Sequence, residues 1–368
     1  MVEAIPNPTR GRLRSLDALR LIAALGVVIF HFSNRQSDAW GKPIGEVFPE
    51  LASVTVYGAF GVQLFFMISG FVVLMSAWGR SVPQFVASRV SRLYPAYWVG
   101  VIATGLYLYL DRSSPGVANW DNIGIVGWLS NLTMVQPAIG FPNVDGVYWT
   151  LWAELKFYLL LGVFIAIGIT RNRILLVCAA WPVAGMLAAI SQEKLLIELL
   201  QPDNAPFFAM GMMLFLIWRE GPTFITVTIL LANLAFALAV GYRSLWWTTN
   251  GGPADPWKVV ALYIVFVLLI LLATHGPIGR LDWKWLSAAG ALTYPLYVLH
   301  AELGWGLIGA IQTYFPPYVT LAIVTGVMLI AAWLVNRFVE QPLGPRIRRA
   351  VERSMVSIPG TRPPEIKE

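Results

Sequence analysis

The stretch Leu16-Asp17-Ala18-Leu19-Arg20-Leu21-Ile22-Ala23-Ala24-Leu25-Gly26-Val27-Val28-Ile29-Phe30-His31-Phe32 decides the fold class. It falls within the range of about 17 to 25 predominantly apolar residues that a membrane-spanning helix needs. Basic residues precede its apolar run from Leu21 to Phe30, as they do in a cleaved signal. The residues that follow, Ser33-Asn34-Arg35-Gln36, offer no small-x-small cleavage site, so the segment reads as a retained helix.

The rest of the chain carries the same signature. Of its 368 residues 57% are hydrophobic and only 12% charged, with a mean hydropathy of +0.65. Soluble domains carry about 25% charged residues, so this chain could not clothe a water-facing surface. Disordered, collagenous and coiled-coil classes fail for the same reason, and an all-α, multi-spanning integral membrane protein remains. The single cysteine, Cys178, excludes a disulfide framework within the chain. A net charge of +6 would suggest nucleic acid if taken alone, but the placement of the charges decides its meaning.

Ten spans are expected: Leu16 to Phe32, Tyr57 to Trp78, Leu93 to Leu110, Tyr148 to Ile169, Ile174 to Ile190, Ala205 to Trp218, Phe224 to Tyr242, Val259 to Thr274, Leu286 to Gln312 and Tyr318 to Asn336. Ala205 to Trp218 is the shortest and resembles a buried segment as much as a span. Asn122 to Val144 reads as a loop in the interface. With both termini in the cytoplasm, 19 of the 26 basic residues fall on the inner side and five outside, with Lys156 and Lys258 at span edges. Topology therefore accounts for most of the positive charge, and nucleic acid is not needed. The expected organisation is a cytoplasmic segment 1–14, one transmembrane domain 15–343, and a basic, disordered cytoplasmic tail 344–368. No internal repeat is visible.

Polar groups inside spans are functional candidates. Arg20 and His31 are 11 residues apart, which places them on one helical face about 16 Å apart along the axis. Arg20 then sits near the cytoplasmic mouth and His31 toward the outer side. A neutral imidazole at that depth can accept a proton; a helix-packing histidine is the competing reading. Ser15 reads as an N-cap, with Asp17 in the first turn reaching Arg20 at i+3. Arg89 and Arg92, just before the third span, form an i, i+3 pair that can grip phosphate oxygens or anchor to lipid phosphates.

Trp149 and Glu154 open the fourth span from the outer side. An aromatic face beside a carboxylate suits a carbohydrate, although Glu154 could equally pair with a basic residue for helix registry. Tyr297 and His300 share a face of the ninth span, where they bind substrate or join helices. No nucleotide-binding loop, dinucleotide fingerprint, serine-hydrolase elbow or zinc-protease motif is present. The three histidines, His31, His275 and His300, do not have metal-ligand spacing, so no metal and no bound cofactor are expected.

Taken together, these residues resemble membrane acyltransferase family 3. The resemblance is carried by Arg14 to Arg20 with His31, Gly61 to Phe71, Arg89 to Pro95, Trp149 to Glu154, Leu292 to His300 and Glu340-Gln341-Pro342, from about Arg14 to Leu343. It implies transfer of an acyl group, commonly acetyl, from cytoplasmic acyl-CoA to a hydroxyl of a glycan or other acceptor at the outer side of the inner (plasma) membrane. It also implies that Arg20 and His31 are essential and that Arg89 and Arg92 bind the donor. A transporter and a non-catalytic member of a polysaccharide export complex are the alternatives from other classes, but the inverted repeat and paired broken helices of a transporter are not visible.

Overall fold

A backbone in hydrocarbon must satisfy its own polar groups, and this chain does so with helices. The computed structural model describes residues 13–248, 254–275, 279 and 283–356, and regular structure among the described residues is entirely helical. The expectations placed on residues 1–12, on Arg280 and on 357–368, and on the side chains of Arg243 and Lys284, lie outside the described residues. The helices are α1 (Arg14–Ser33), α2 (Ile44–Val47), α3 (Leu51–Thr55), α4 (Gly61–Ala77), α5 (Val82–Leu110), α6 (Trp120–Asn131), α7 (Trp149–Ile167), α8 (Arg171–Ser191), α9 (Lys194–Leu200), α10 (Ala205–Glu220), α11 (Phe224–Thr248), α12 (Pro256–His275), α13 (Lys284–Leu299), α14 (Ala301–Ile311), α15 (Pro317–Val335) and α16 (Gln341–Val356).

Seven helical stretches are long and apolar enough to cross a membrane: Arg14–Ser33, Leu51–Ala77, Val82–Leu110, Gly146–Ile167, Arg171–Ser191, Pro256–His275 and Pro317–Met355. The three other expected spans are also helical, as α10, as α11, and as the pair α13 and α14. Helix α10 is buried without interruption from Ala205 to Ile217 among α4, α8, α11 and α12, which is why its sequence is apolar on every side. It meets α4 backbone to backbone. A Cβ at Gly70 would collide with the Phe208 carbonyl, and one at Gly211 with the Met67 carbonyl, the close approach that small residues permit between helices.

Prolines inside helices leave a carbonyl four residues back without its N–H partner. Pro182 in α8 frees the Cys178 oxygen, and Asn233 of α11 donates to it at 3.0 Å. Pro295 in α13 frees the Ala291 oxygen, which Asn336 approaches at 3.5 Å. Replacing buried Asn233 by Leu strands the Cys178 carbonyl, so a loss of about 1–3 kcal/mol is expected. Thermal unfolding of the detergent-solubilised variant measures it, and an unchanged midpoint would remove the bond from the account.

Three local expectations are corrected. Ser15 is not the N-cap. Leu13 holds that position without a side-chain bond, and the buried Ser15 hydroxyl instead donates to the Ala273 carbonyl of α12 at 2.7 Å. The segment Asn122 to Val144 is not loop throughout, because Asn119 caps Trp120–Asn131 as a helix kinked at Gly124. The basic stretch 344–356 is not disordered. A π-helical turn, Asn336–Glu340, carries α15 onward into α16, which packs against α5.

Candidate active site

Ser81 and Gln84 form a capping box, with Pro83 in the first turn, and they start α5 at Val82. The helix thus begins well before the expected third span, so Arg89 and Arg92 lie inside it rather than ahead of it. Their i, i+3 spacing turns both toward Arg20 of α1 and Glu154 of α7, and the four side chains line one cavity. Exposure grades along it: Arg92 is exposed at the mouth, Arg89 is half-buried, and the Arg20 side chain is 11% exposed.

Positive charge dominates this inner cavity. Arg20 has Asp17 at 3.8 Å, as its i+3 spacing predicts. Glu154 accepts a hydrogen bond from Ser69 at 2.7 Å. Arg89 lies 5.6 Å from the Tyr158 ring centre and 5.8 Å from that of Phe85, and its buried Nε has no hydrogen-bond partner. Arg92 makes no hydrogen bond or ion pair among the described residues. Three guanidinium groups against one carboxylate in the cavity wall have the chemistry to hold an anion with several oxygens.

A second cavity lies toward the other end of α1 and is lined by His31, Arg35, Trp149 and Trp305 among others. Val62 and Tyr297 line both cavities and so stand between them. Tyr297 is held there by a 2.8 Å hydrogen bond from Thr150. His31 Nδ1 lies 2.8 Å from the Val27 carbonyl and 3.2 Å from His300 Nε2. A carbonyl only accepts, so His31 Nδ1 carries the proton, and Nε2 is the ring nitrogen with a free lone pair.

At His300 the backbone stays helical, bonded to Leu296 and Gly304, but one neighbouring helical hydrogen bond is replaced. In an unbroken helix the Glu302 N–H would donate to the Val298 carbonyl. Here the Glu302 N–H donates to Asp145 at 3.1 Å, and the Tyr148 hydroxyl donates to the Val298 carbonyl at 3.0 Å. The expected ninth span is therefore two abutting helices, α13 and α14, joined at His300. Burial pushes the Asp145 carboxyl above the usual carboxylate range, opposed by the N–H donors of Val147 and Glu302 and by the Arg35 charge.

Of the sequence-derived candidates, Arg20, Arg89, Arg92 and Glu154 come together in the inner cavity, and His31 and Trp149 in the outer one. Glu154 thus stands with the arginines and apart from the aromatic face with which its sequence grouped it. Tyr297 belongs to both cavities, and fully buried His300 lines neither. Sequence reasoning missed Arg35, whose signal was its i+4 spacing from His31. It also missed Asp145, which directly precedes the aromatic stretch at Tyr148. Among the described residues no cluster of His, Cys, Asp and Glu could hold a metal ion.

A family profile described as an acyltransferase domain matches residues 13–337. The chain is 32% identical to acyltransferase MdmB of Streptomyces mycarofaciens over 155 residues, which cover 40% of this chain and 38% of that protein. It is 25% identical to nodulation protein 10 of Rhizobium leguminosarum bv. viciae, over 81% of this chain and 86% of that one. It is 28% identical to the exopolysaccharide production protein ExoZ of Rhizobium meliloti (strain 1021), over 78% and 89%. No solved structure matches.

Proposed function

The chain belongs to the membrane acyltransferase family whose profile spans it, and from that premise we propose that it moves an acyl group, acetyl in the first instance, from acyl-CoA to a hydroxyl of a carbohydrate. The observation that carries this reading is the pair of adjacent cavities that share Val62 and Tyr297, with guanidinium groups in one and His31 in the other. The phosphates of CoA are too charged for hydrocarbon and suit Arg20, Arg89 and Arg92. Its pantetheine arm can cover the roughly 16 Å of helix between Arg20 and His31. Trp149 and Trp305 offer the acceptor sugar aromatic faces, and Arg35 offers hydrogen-bond donors. Relatives named for nodulation and exopolysaccharide production favour a glycan acceptor.

The chemistry then follows in order. The acceptor hydroxyl gives its proton to His31 Nε2 as its oxygen bonds to the thioester carbon. The carbon–sulfur bond breaks, and the departing CoA thiolate takes the proton back from Nε2. The products are the O-acyl ester and free CoA thiol, with His31 returned to its neutral form. Mass spectrometry of surface glycans from cells with and without the protein tests the reading. Loss of one O-acyl mass increment is expected, and an unchanged profile in every glycan would overturn the glycan acceptor.

A further inference from the structure

We propose that His300 is a positioning residue for His31, which it orients through its Nε2 lone pair without touching either substrate. The inference rests on the reading of His31 as the base.

Both tautomers follow from the hydrogen bonds. His300 Nδ1 lies 2.8 Å from the Tyr297 carbonyl, and because a carbonyl only accepts, this nitrogen carries the His300 proton. Its Nε2 is then an acceptor and receives the His31 Nδ1–H at 3.2 Å, a proton shared with the Val27 carbonyl. The chain of bonds runs in one sense, from His31 to His300 to the Tyr297 carbonyl, and it leaves His31 Nε2 as the basic nitrogen. The two rings meet edge to face, with centroids 4.9 Å apart.

The surroundings of His300 support positioning over direct chemistry. Its side chain is fully buried and belongs to the lining of neither cavity, so an acceptor in the outer cavity meets His31 first. Its backbone is held by helical bonds to Leu296 and Gly304, flanked by the Glu302–Asp145 and Tyr148–Val298 bonds, and its ring packs against those of Phe32 and Tyr297. When His31 holds the acceptor's proton, it becomes an imidazolium whose buried Nδ1–H needs an acceptor. The Val27 carbonyl and His300 Nε2 supply two. The transferred proton stays on His31 Nε2 until the thiolate takes it, and His300 keeps its own proton throughout. This is the arrangement of a base oriented by a third group, with a neutral imidazole in the orienting place.

Three substitutions separate this role from a purely structural one. The side-chain amide of His300→Gln reaches the position of Nε2 and can present an oxygen to His31. That of His300→Asn reaches the position of Nδ1 and can bond the Tyr297 carbonyl, but offers nothing to His31. His300→Leu does neither. With purified protein, acetyl-CoA and surface glycan from the same cells stripped of its O-acyl groups by mild base, His300→Gln is expected to keep kcat within about tenfold of the native value. Asn and Leu are expected to lose about 100-fold, the lower end of what a misplaced general base forfeits. KM for acetyl-CoA should stay near native in all three.

If Asn equals or exceeds Gln, or if the loss appears in KM, positioning is refuted while the base reading stands. If His31→Ala, assayed in parallel, keeps native activity, the base reading itself fails. A measurement on the native protein does not depend on any variant folding. The chain has three histidines, and nitrogen NMR of labelled protein should find His31 and His300 both protonated at Nδ1 and bare at Nε2. A His31 protonated at Nε2 in the resting enzyme would overturn the proposal.

Discussion

His31→Ala is expected to lower the turnover of acyl transfer by about 10²- to 10⁴-fold while leaving KM for acyl-CoA close to native. The size of the loss follows from chemistry. An alcohol is a poor nucleophile until its proton leaves, and a base held beside it takes that proton. His31 Nε2 is a ring nitrogen with a free lone pair on a side chain that lines the outer cavity. On the proposed reading the donor's charged end is held by the arginines of the other cavity, so its affinity should hardly move. The protein should also remain folded, because Trp305 Nε1 donates to the His31 backbone carbonyl, a bond that alanine keeps. The variant does strand His300 Nε2, at about 1–3 kcal/mol, so thermal unfolding belongs beside the kinetics. Thiol release from acetyl-CoA in the presence of acceptor reads the rate, and near-native turnover would remove His31 from the mechanism.

The chain's class and its site were legible in sequence to different depths. Hydrophobic runs gave the helices because hydrocarbon leaves the backbone no other partner. The 11-residue interval from Arg20 to His31 gave their common face, since a single helix obeys its own period. Boundaries failed where a tertiary contact replaced a local one and where a local cap was passed over. Ser15 looked like a cap but bonds across to α12, and α5 starts ahead of its apolar run because Ser81 and Gln84 cap it there. The replaced bond beside His300 was invisible for a deeper reason. It arises when Asp145 and Tyr148, some 150 residues upstream, take the two ends of one helical hydrogen bond, and no local pattern records that exchange. Glu154 was grouped with its sequence neighbour Trp149, yet a helix turns five residues through about 500°, which sends the two side chains to different sides.

Arg89→Ala is expected to raise KM for acyl-CoA by about 10- to 150-fold with little change in KM for the acceptor, corresponding to about 1.5–3 kcal/mol for hydrogen bonds to a charged group. Arg92→Ala should have the smaller effect. Arg92 is exposed at the mouth, where water and salt screen it, whereas Arg89 is half-buried and has a buried Nε with no partner. The same ordering separates donor binding from membrane anchorage. An arginine that only touched lipid phosphates would change insertion or expression and leave KM for both substrates alone. Arg89→Lys sharpens the point, because lysine keeps the charge but loses the planar fork that matches phosphate oxygens. It should therefore fall between native and alanine in KM and recover little at low ionic strength. Titration of CoA and of 3′-dephospho-CoA against the three variants measures the contacts directly. Equal weakening of donor and acceptor by Arg89→Ala would sink the donor-site reading, because it would mean that the substitution deforms both cavities through α5 instead of removing one anion contact.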